Sequence, residues 1–294
     1  MDFDDSARLD SSRVRDTRGR RGGRGLAIGG GGLGVVGLLI ALLLGVDPSQ
    51  LTGGGTGGFD DGAFENGDTL AAPELAERCQ TGADADEQEI CRVVGIDNSL
   101  VKFWSTTLRD FRPANTEVFS GGTQTGCGSA SSAVGPFYCP PDEGIYLDLG
   151  FFDDLRTRYG ARGGDFAQAY VLAHEYGHHV QNLTGQSARS RSLPEQQGPQ
   201  GASTRLELQA DCYAGAWAAN ASREGFLTFD DTDIAEGLSA AAAVGDDRIQ
   251  EASQGRVDPE SWTHGSAEQR QRWFTTGLRS GDPADCDTFA VDRV

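Results

Sequence analysis

Residues 171–180 read Val-Leu-Ala-His-Glu-Tyr-Gly-His-His-Val, and within them His174-Glu175-Tyr176-Gly177-His178 sets two histidines four apart. The surrounding stretch opens on Asp165, carries apolar residues at helical spacing and runs into Gly185, which predicts one helix ending there. On a helix, positions i and i+4 share a face, so the imidazoles of His174 and His178 converge on one point. Neutral imidazole suits zinc. Glu175, beside the first histidine, can reach a metal-bound water from the side and take its proton. It is the one charged residue from Val171 to Val180, and a carboxylate in an otherwise apolar helix is costly without a task. The bland alternative is a helix with two surface histidines. Against it, three of the four histidines in the chain gather in this segment. His179 points about 100° away from His178 around the helix, which predicts packing or a supporting bond for it, not ligation.

A hydrolytic zinc site wants three protein ligands and one open position. The extended pattern H-E-x-x-H-x-x-G-x-x-H fails, because Gln181 and Thr184 stand where Gly and His are needed. A second predicted helix opens at Thr204, with Glu207 three later, and runs through Asn220. It offers Glu207 and Asp211 on one face. In one arrangement Glu207 binds the metal, and Asp211 accepts the free N–H of a ligand histidine and fixes its tautomer. In the other, Asp211 is itself the ligand. A solvated acidic face is the bland reading, weakened by the small apolar run Cys-Tyr-Ala-Gly-Ala-Trp-Ala-Ala that follows Asp211. His264 stands apart from the other histidines. It can donate to the oxyanion formed when an amide carbonyl is attacked, or it can be a loop histidine with a structural bond. Arg270, six residues on, can share that task or pair with Asp211 or Glu207.

Three segments in order, VLAHEYGHHVQNLTG, RLELQADCYAGAWA and THGSAEQRQRWFTTG, resemble the bacterial neutral zinc metallopeptidase family. Its members have an Arg-rich N-terminus, one transmembrane helix and an HExxH domain. The likeness covers the apolar segment described below and most of residues 70–294. In its motif logic the chain is also similar to the gluzincins, where HExxH is followed by E-x-x-x-D on a later helix. The resemblance implies a zincin-like fold and one zinc ion per chain, with His174, His178 and Glu207 as ligands. It further implies Glu175 as general base and Asp211 behind a ligand histidine. His264 and Arg270 resemble the H-P-x-x-x-x-R element of membrane-anchored gluzincins, with Gly265 in the proline's place.

Upstream, residues 26–46 (LAIGGGGLGVVGLLIALLLGV) are uncharged and, as a helix, about 31 Å long, enough to cross a hydrocarbon core. Residues 1–46 carry seven Arg and five Asp, whereas the whole chain carries a net charge of -19. The Arg-rich side precedes the apolar run, so the positive-inside rule puts residues 1–25 in the cytoplasm as a tail. A cleaved signal peptide is the alternative, but the run exceeds a usual h-region and no A-x-A site follows. Residues 47–69, rich in Gly and Asp, read as a linker. Residues 70–294 would then form an extracytoplasmic domain of a bacterial single-pass membrane protein. The six cysteines fit that compartment. Cys79 and Cys91 are twelve apart, as are Cys127 and Cys139, and locality pairs them, leaving Cys212 with Cys286.

The domain reads as mainly helical α+β. A helix capped by Asp97 or Asn98 precedes strands at Thr116–Phe119 and Gly144–Leu149, and two further helices follow Asp230 and Ser266. The acidic balance repels phosphate backbones and excludes an electrostatic nucleic-acid footprint. The partners expected are a peptide or protein substrate and the membrane; nothing sets an oligomeric state. The leading reading is a membrane-anchored zinc endopeptidase in which Glu175 activates a zinc-bound water. The alternative is a zinc-binding envelope scaffold or chaperone without turnover.

Overall fold

The 19-residue helix that holds three of the four histidines, Asp165–Leu183, is buried at every position from Phe166 to Gln181 except His178. A helix apolar nearly all round has to be enclosed, and the rest of the chain is arranged to enclose it. The computed structural model describes residues 1–18, 72–223 and 225–294. Among them the strands are β1 (Asp2–Phe3), β2 (Val14–Asp16), β3 (Asn115–Phe119), β4 (Gly122–Thr125), β5 (Gly128–Ser131), β6 (Phe137–Cys139), β7 (Gly144–Asp148) and β8 (Leu227–Thr228). The helices are α1 (Ala72–Arg78), α2 (Gly82–Glu87), α3 (Glu89–Thr107), α4 (Gly150–Thr157), α5 (Asp165–Leu183), α6 (Gln186–Arg191), α7 (Ala202–Ala221), α8 (Asp231–Ala243), α9 (Asp246–Gln254) and α10 (Ala267–Ser280).

A four-stranded sheet runs in the order β2-β3-β7-β6, parallel except for β6. All five residues of β7 are buried, as expected for a strand covered on both faces. The edge strand β6 is tied to α5 through Tyr138, whose Oη lies 3.0 Å from His179 Nδ1 and accepts from Asn182 Nδ2 at 3.0 Å. The hairpin β4–β5 is fastened at its tip to β6 by Cys127–Cys139. The other two disulfides are Cys79–Cys91 and Cys212–Cys286, so all three pairings match the locality argument. The expected strands form, and the α+β class with a small sheet is as read.

Helix α7 crosses α5 at Gly177, where a Cβ would come within 2.9 Å of the Ala210 backbone. Helix α10 crosses α7 at Gly277, where a Cβ would meet the Cys212 carbonyl oxygen at 1.9 Å. Side chains of zero length at both crossings let three helices stack backbone to backbone. Helices α8 and α10 begin as the sequence predicts, with capping boxes at Asp230 and Ser266.

Two expectations are corrected. Helix α3 starts at Glu89, so Asp97 sits mid-helix and fully buried and is not a cap. Its carboxylate accepts from Tyr176 Oη at 2.6 Å and lies near Thr116 Oγ1 and Arg13 Nε, both at 3.3 Å. The tertiary partners outcompete the local cap. Residues 1–25, expected as a tail apart from the 70–294 domain, belong through residue 18 to the same folded body. Strand β2 pairs with β3, β1 pairs with β8, and Phe3 and Val14 are in the core. No helix among the described residues is long and apolar enough to cross a membrane. The segment 26–46 and the linker 47–69 lie outside the described residues.

Candidate metal centre

Helix α5 delivers His174 and His178 one turn apart, and the close crossing at Gly177 brings Glu207 of α7 up to them. Their Nε2 atoms are 3.1 Å apart. Glu207 Oε2 lies 3.1 Å from His174 Nε2 and its Oε1 lies 3.5 Å from His178 Nε2. One ligand atom from each of the three falls within 4.8 Å of the others, a set that could hold a metal ion. The opposite ring nitrogens are engaged: His174 Nδ1 with Asp211 Oδ1 at 2.8 Å, and His178 Nδ1 with Gln181 Oε1 at 2.9 Å. Holding Nδ1 this way turns both Nε2 lone pairs to the common point. Two nitrogens and one carboxylate with room for a fourth position is the donor chemistry of a catalytic zinc site, and these residues fit it.

Of the two carboxylates left open as third ligand, Glu207 faces the histidine pair, and Asp211 lies behind His174. Asp211 is fully buried with three partners. Tyr170 Oη donates to its Oδ1 at 2.5 Å, and Arg270 donates through Nε to Oδ2 at 2.8 Å and through Nη2 to Oδ1 at 3.0 Å. Burial raises the Asp211 pKa, but Arg270 and His174 outweigh it and bring it down to about 2. Burial likewise works against a charged His174, yet Asp211 and Glu207 raise it to about 9. Glu207 is held well below the ordinary carboxylate range, since the nearby histidines overcome its burial.

Glu175 is 8% exposed and makes no hydrogen bond to a described residue. Burial raises its pKa, opposed by the two histidines. An unengaged carboxylate with a raised pKa beside the ligands is placed to accept a proton. His264 sits on the loop before α10. Asp246 holds that loop: its Oδ2 accepts from the backbone N–H of Thr263, His264 and Gly265 at 2.8, 2.7 and 3.0 Å. Its Oδ1 lies 3.2 Å from His264 Nδ1. Arg270, grouped with the catalytic residues in the sequence reading, instead has its guanidinium committed to Asp211, the pairing its other reading anticipated. His179 packs against the sheet, with Nε2 2.6 Å from the Arg112 carbonyl oxygen.

Tyr170, Gln181 and Asp246 were not singled out as site residues by sequence reasoning. Tyr170 and Gln181 carried a signal, since they stand at i−4 from His174 and i+3 from His178 on the ligand face. Asp246 carried none.

Two cavities, of about 490 and 370 Å³, meet at the centre, and Glu175, His178, Glu207 and His264 line both.

A family model described as "Putative neutral zinc metallopeptidase" matches residues 2–289. The uncharacterized protein Rv2575 of Mycobacterium tuberculosis is 49% identical over 262 residues, covering 85% of each chain. The uncharacterized protein YpfJ of Escherichia coli K12 is 37% identical over 295 residues, covering 96% of this chain and 97% of that one. No solved structure matches the chain.

Proposed function

The chain belongs to the neutral zinc metallopeptidase family, and from that premise we propose that it is a zinc-dependent endopeptidase with one zinc ion held by His174, His178 and Glu207. The observation that carries this reading is the open ligand set with Glu175 unengaged beside it, where two cavities meet. When bound, zinc would supply Lewis acidity toward a peptide carbonyl and acidify water. Glu175 accepts a proton from the attacking water and later passes it to the leaving amine. His264, its Nδ1 facing Asp246, offers the other ring nitrogen to the developing oxyanion. Asp211 and Gln181 keep the ligand imidazoles turned toward Glu207, and Arg270 and Tyr170 keep Asp211 in place. Two cavities that share the centre leave room for substrate residues beyond the reacting bond, which favours cleavage inside a polypeptide over trimming at its ends.

A zinc-stabilised scaffold without turnover would have no use for two cavities converging on the ligands, nor for a free carboxylate there. The deciding experiment compares cleavage of a broad peptide library by the zinc-loaded chain and by Glu175→Gln at equal zinc content. Loss of a general base should lower kcat/KM by roughly 10²–10⁴-fold. Equal cleavage by both would sink the peptidase mechanism.

We further place the folded body outside the cytoplasm, because its three disulfides persist in oxidising compartments. Attachment to the membrane through residues 26–46 belongs to the same proposal, as an insertion that leaves residues 1–18 on the same side as the body they pair with.

A further inference from the structure

The smaller cavity, of about 370 Å³, is lined beyond the centre by three polar side chains that no described part of the fold engages. Ser187 and Arg191 come from α6, and Ser203 comes from the first turn of α7. Ser187 is 9% exposed, yet its hydroxyl has no hydrogen-bond partner among the described residues, and neither has that of the partly buried Ser203. Serine hydroxyls on helices commonly turn back to the backbone; these two are left free to donate into the cavity. Arg191, exposed at the rim, has no ion pair or hydrogen bond among the described residues. The arginines of the larger cavity differ, since Arg158 is committed to Asp154 and Arg270 to Asp211. The acids that line the smaller cavity, Glu175 and Glu207, belong to the centre, where the histidines and a bound divalent ion offset them.

The three free donors are fixed to one another and to the ligands. Ser187 and Arg191 stand four apart and so share one face of α6. Ser203 stands four before Glu207, which puts it on the ligand's face of α7, one turn or about 6 Å along the axis. Ser190 Oγ donates to the Ala202 carbonyl at 3.1 Å and fastens α6 to the start of α7. A guanidinium and two hydroxyl donors suit a carboxylate, which takes opposite charge from the first and fills its remaining lone pairs with the others. A carboxamide gains the hydroxyls without the charge, and an ammonium is repelled by Arg191. The chain's net charge of -19 repels an acidic peptide at range, but salt screens that beyond about 8–10 Å and leaves the local groups to decide.

We infer that Arg191, Ser187 and Ser203 form a subsite for an acidic residue of the substrate. It holds the Asp or Glu side chain about two residues from the scissile bond, because an extended chain advances about 3.3 Å per residue and the turn from Glu207 to Ser203 spans about 6 Å. The inference rests on the peptidase reading, so its test has an arm that needs no turnover.

Amidated Gly/Ser peptides with a single Glu, Gln or Lys guest are titrated against the zinc-loaded full-length Glu175→Gln chain by fluorescence anisotropy. The Glu guest should bind roughly fivefold more tightly than Gln, the difference between a charged and a neutral hydrogen-bond acceptor, and that ratio should shrink in high salt. Arg191→Glu in the same background, at an exposed position, should reverse the order in favour of Lys. Ser187→Ala should weaken the Glu guest and leave the Lys guest unchanged. Arg189→Gln, exposed on the same helix but outside the cavity lining, should leave the preference as it was. Equal affinity for Glu and Gln overturns the subsite, as does an order that survives Arg191→Glu or that Arg189→Gln abolishes. A Gln peptide with a free C-terminus that binds as tightly as the amidated Glu peptide would show capture of the chain end and overturn the side-chain assignment. In the second arm the wild-type zinc-loaded chain is offered the same peptides. Preferential binding of the Glu guest with no cleavage of any peptide keeps the subsite and refutes the peptidase reading. Cleavage at one rate whatever the guest keeps the peptidase reading and refutes the subsite.

Discussion

Asp211 joins the imidazole of one ligand to the guanidinium of Arg270 and the hydroxyl of Tyr170, and the pKa values around it set how the centre responds to pH. Its own pKa is depressed to about 2 from an ordinary 3.8. Its contribution to stability is therefore complete above about pH 4 and fades only as pH falls toward about 2. His174 runs the other way. Raised to about 9 from an ordinary 6.5, in the metal-free chain it contributes fully below about pH 6.5 and loses that contribution as pH rises through about 9. Between those values the metal-free chain holds a proton on His174 that a metal has to displace. Zinc uptake by the apo-protein at pH 7.5 should thus release protons, and apparent affinity should climb with pH up to about 9. Calorimetry in buffers of different ionisation enthalpy measures both; a proton-neutral, pH-independent binding curve would contradict the assignment. Asp211→Asn, which keeps the shape and removes the charge, should weaken zinc binding by roughly 10–100-fold, as losses behind a ligand histidine do. It should narrow the stability gap to wild type only below about pH 4. Asp246→Asn tests a different residue: it should lower kcat with zinc content unchanged, because it loosens the His264 loop and touches no ligand.

Helices α5, α7 and α10 hold those residues in register through two glycines. At Gly177 a methyl group would meet the Ala210 backbone at 2.9 Å, and backbone cannot swing aside as a flexible side chain can. Gly177→Ala should push α7 away from α5, costing about 1–3 kcal/mol as overpacking does and carrying Glu207 off the histidine pair. The expected result is a lower unfolding midpoint together with weaker zinc affinity; a variant destabilised but with zinc affinity intact would show that the crossing does not set the ligand geometry. The same helices explain what was legible beforehand. His174 and His178 announce themselves because a helix turns a spacing of four into one face, Glu207 and Asp211 do so for the same reason, and Glu175 is marked as the one charge in an apolar run. The caps at Asp230 and Ser266 are equally local. Asp246 is silent in the sequence because its task is to hold a loop 17 to 19 residues away. Asp97 misleads for the matching reason. It has the chemistry of a cap, but Tyr176, Thr116 and Arg13, distant in sequence, claim its carboxylate first. The hairpin β4–β5, built of Gly, Thr, Gln, Ser and Ala, has no apolar alternation to betray it and depends on its disulfide and its neighbours.

Over the whole molecule, the decisive pairing is β2 with β3, which ties residues 1–18 to the body that carries the centre. Val14, Arg15 and Asp16 sit opposite Thr116, Glu117 and Val118. Phe3 is packed so closely on α3 that a methyl group at Gly95 would meet its ring at 2.5 Å. Burying such side chains contributes about 1.5–3 kcal/mol each, enough to keep the segment docked. Part of the arginine cluster that suggested a cytoplasmic tail has work inside the fold: Arg13 faces buried Asp97, and Arg18 pairs with Asp16 at 2.7 Å. Positive charge spent on buried carboxylates is a poor guide to membrane orientation. A segment 26–46 that crossed a bilayer once would put β2 and β3 on opposite sides, so a cytoplasmic N-terminus and an extracytoplasmic domain are incompatible with this pairing. Among the described residues every cysteine is in a disulfide, which lets a single engineered thiol report its own side. Ser6→Cys and Arg256→Cys, both at exposed positions, should react equally with a membrane-impermeant maleimide in intact cells. Labelling of Arg256→Cys alone until lysis would mean that β2 is undocked in the cell and the positive-inside reading of the arginines holds. Labelling of neither would keep the pairing but move the whole body to the cytoplasmic side, against the placement drawn from the disulfides.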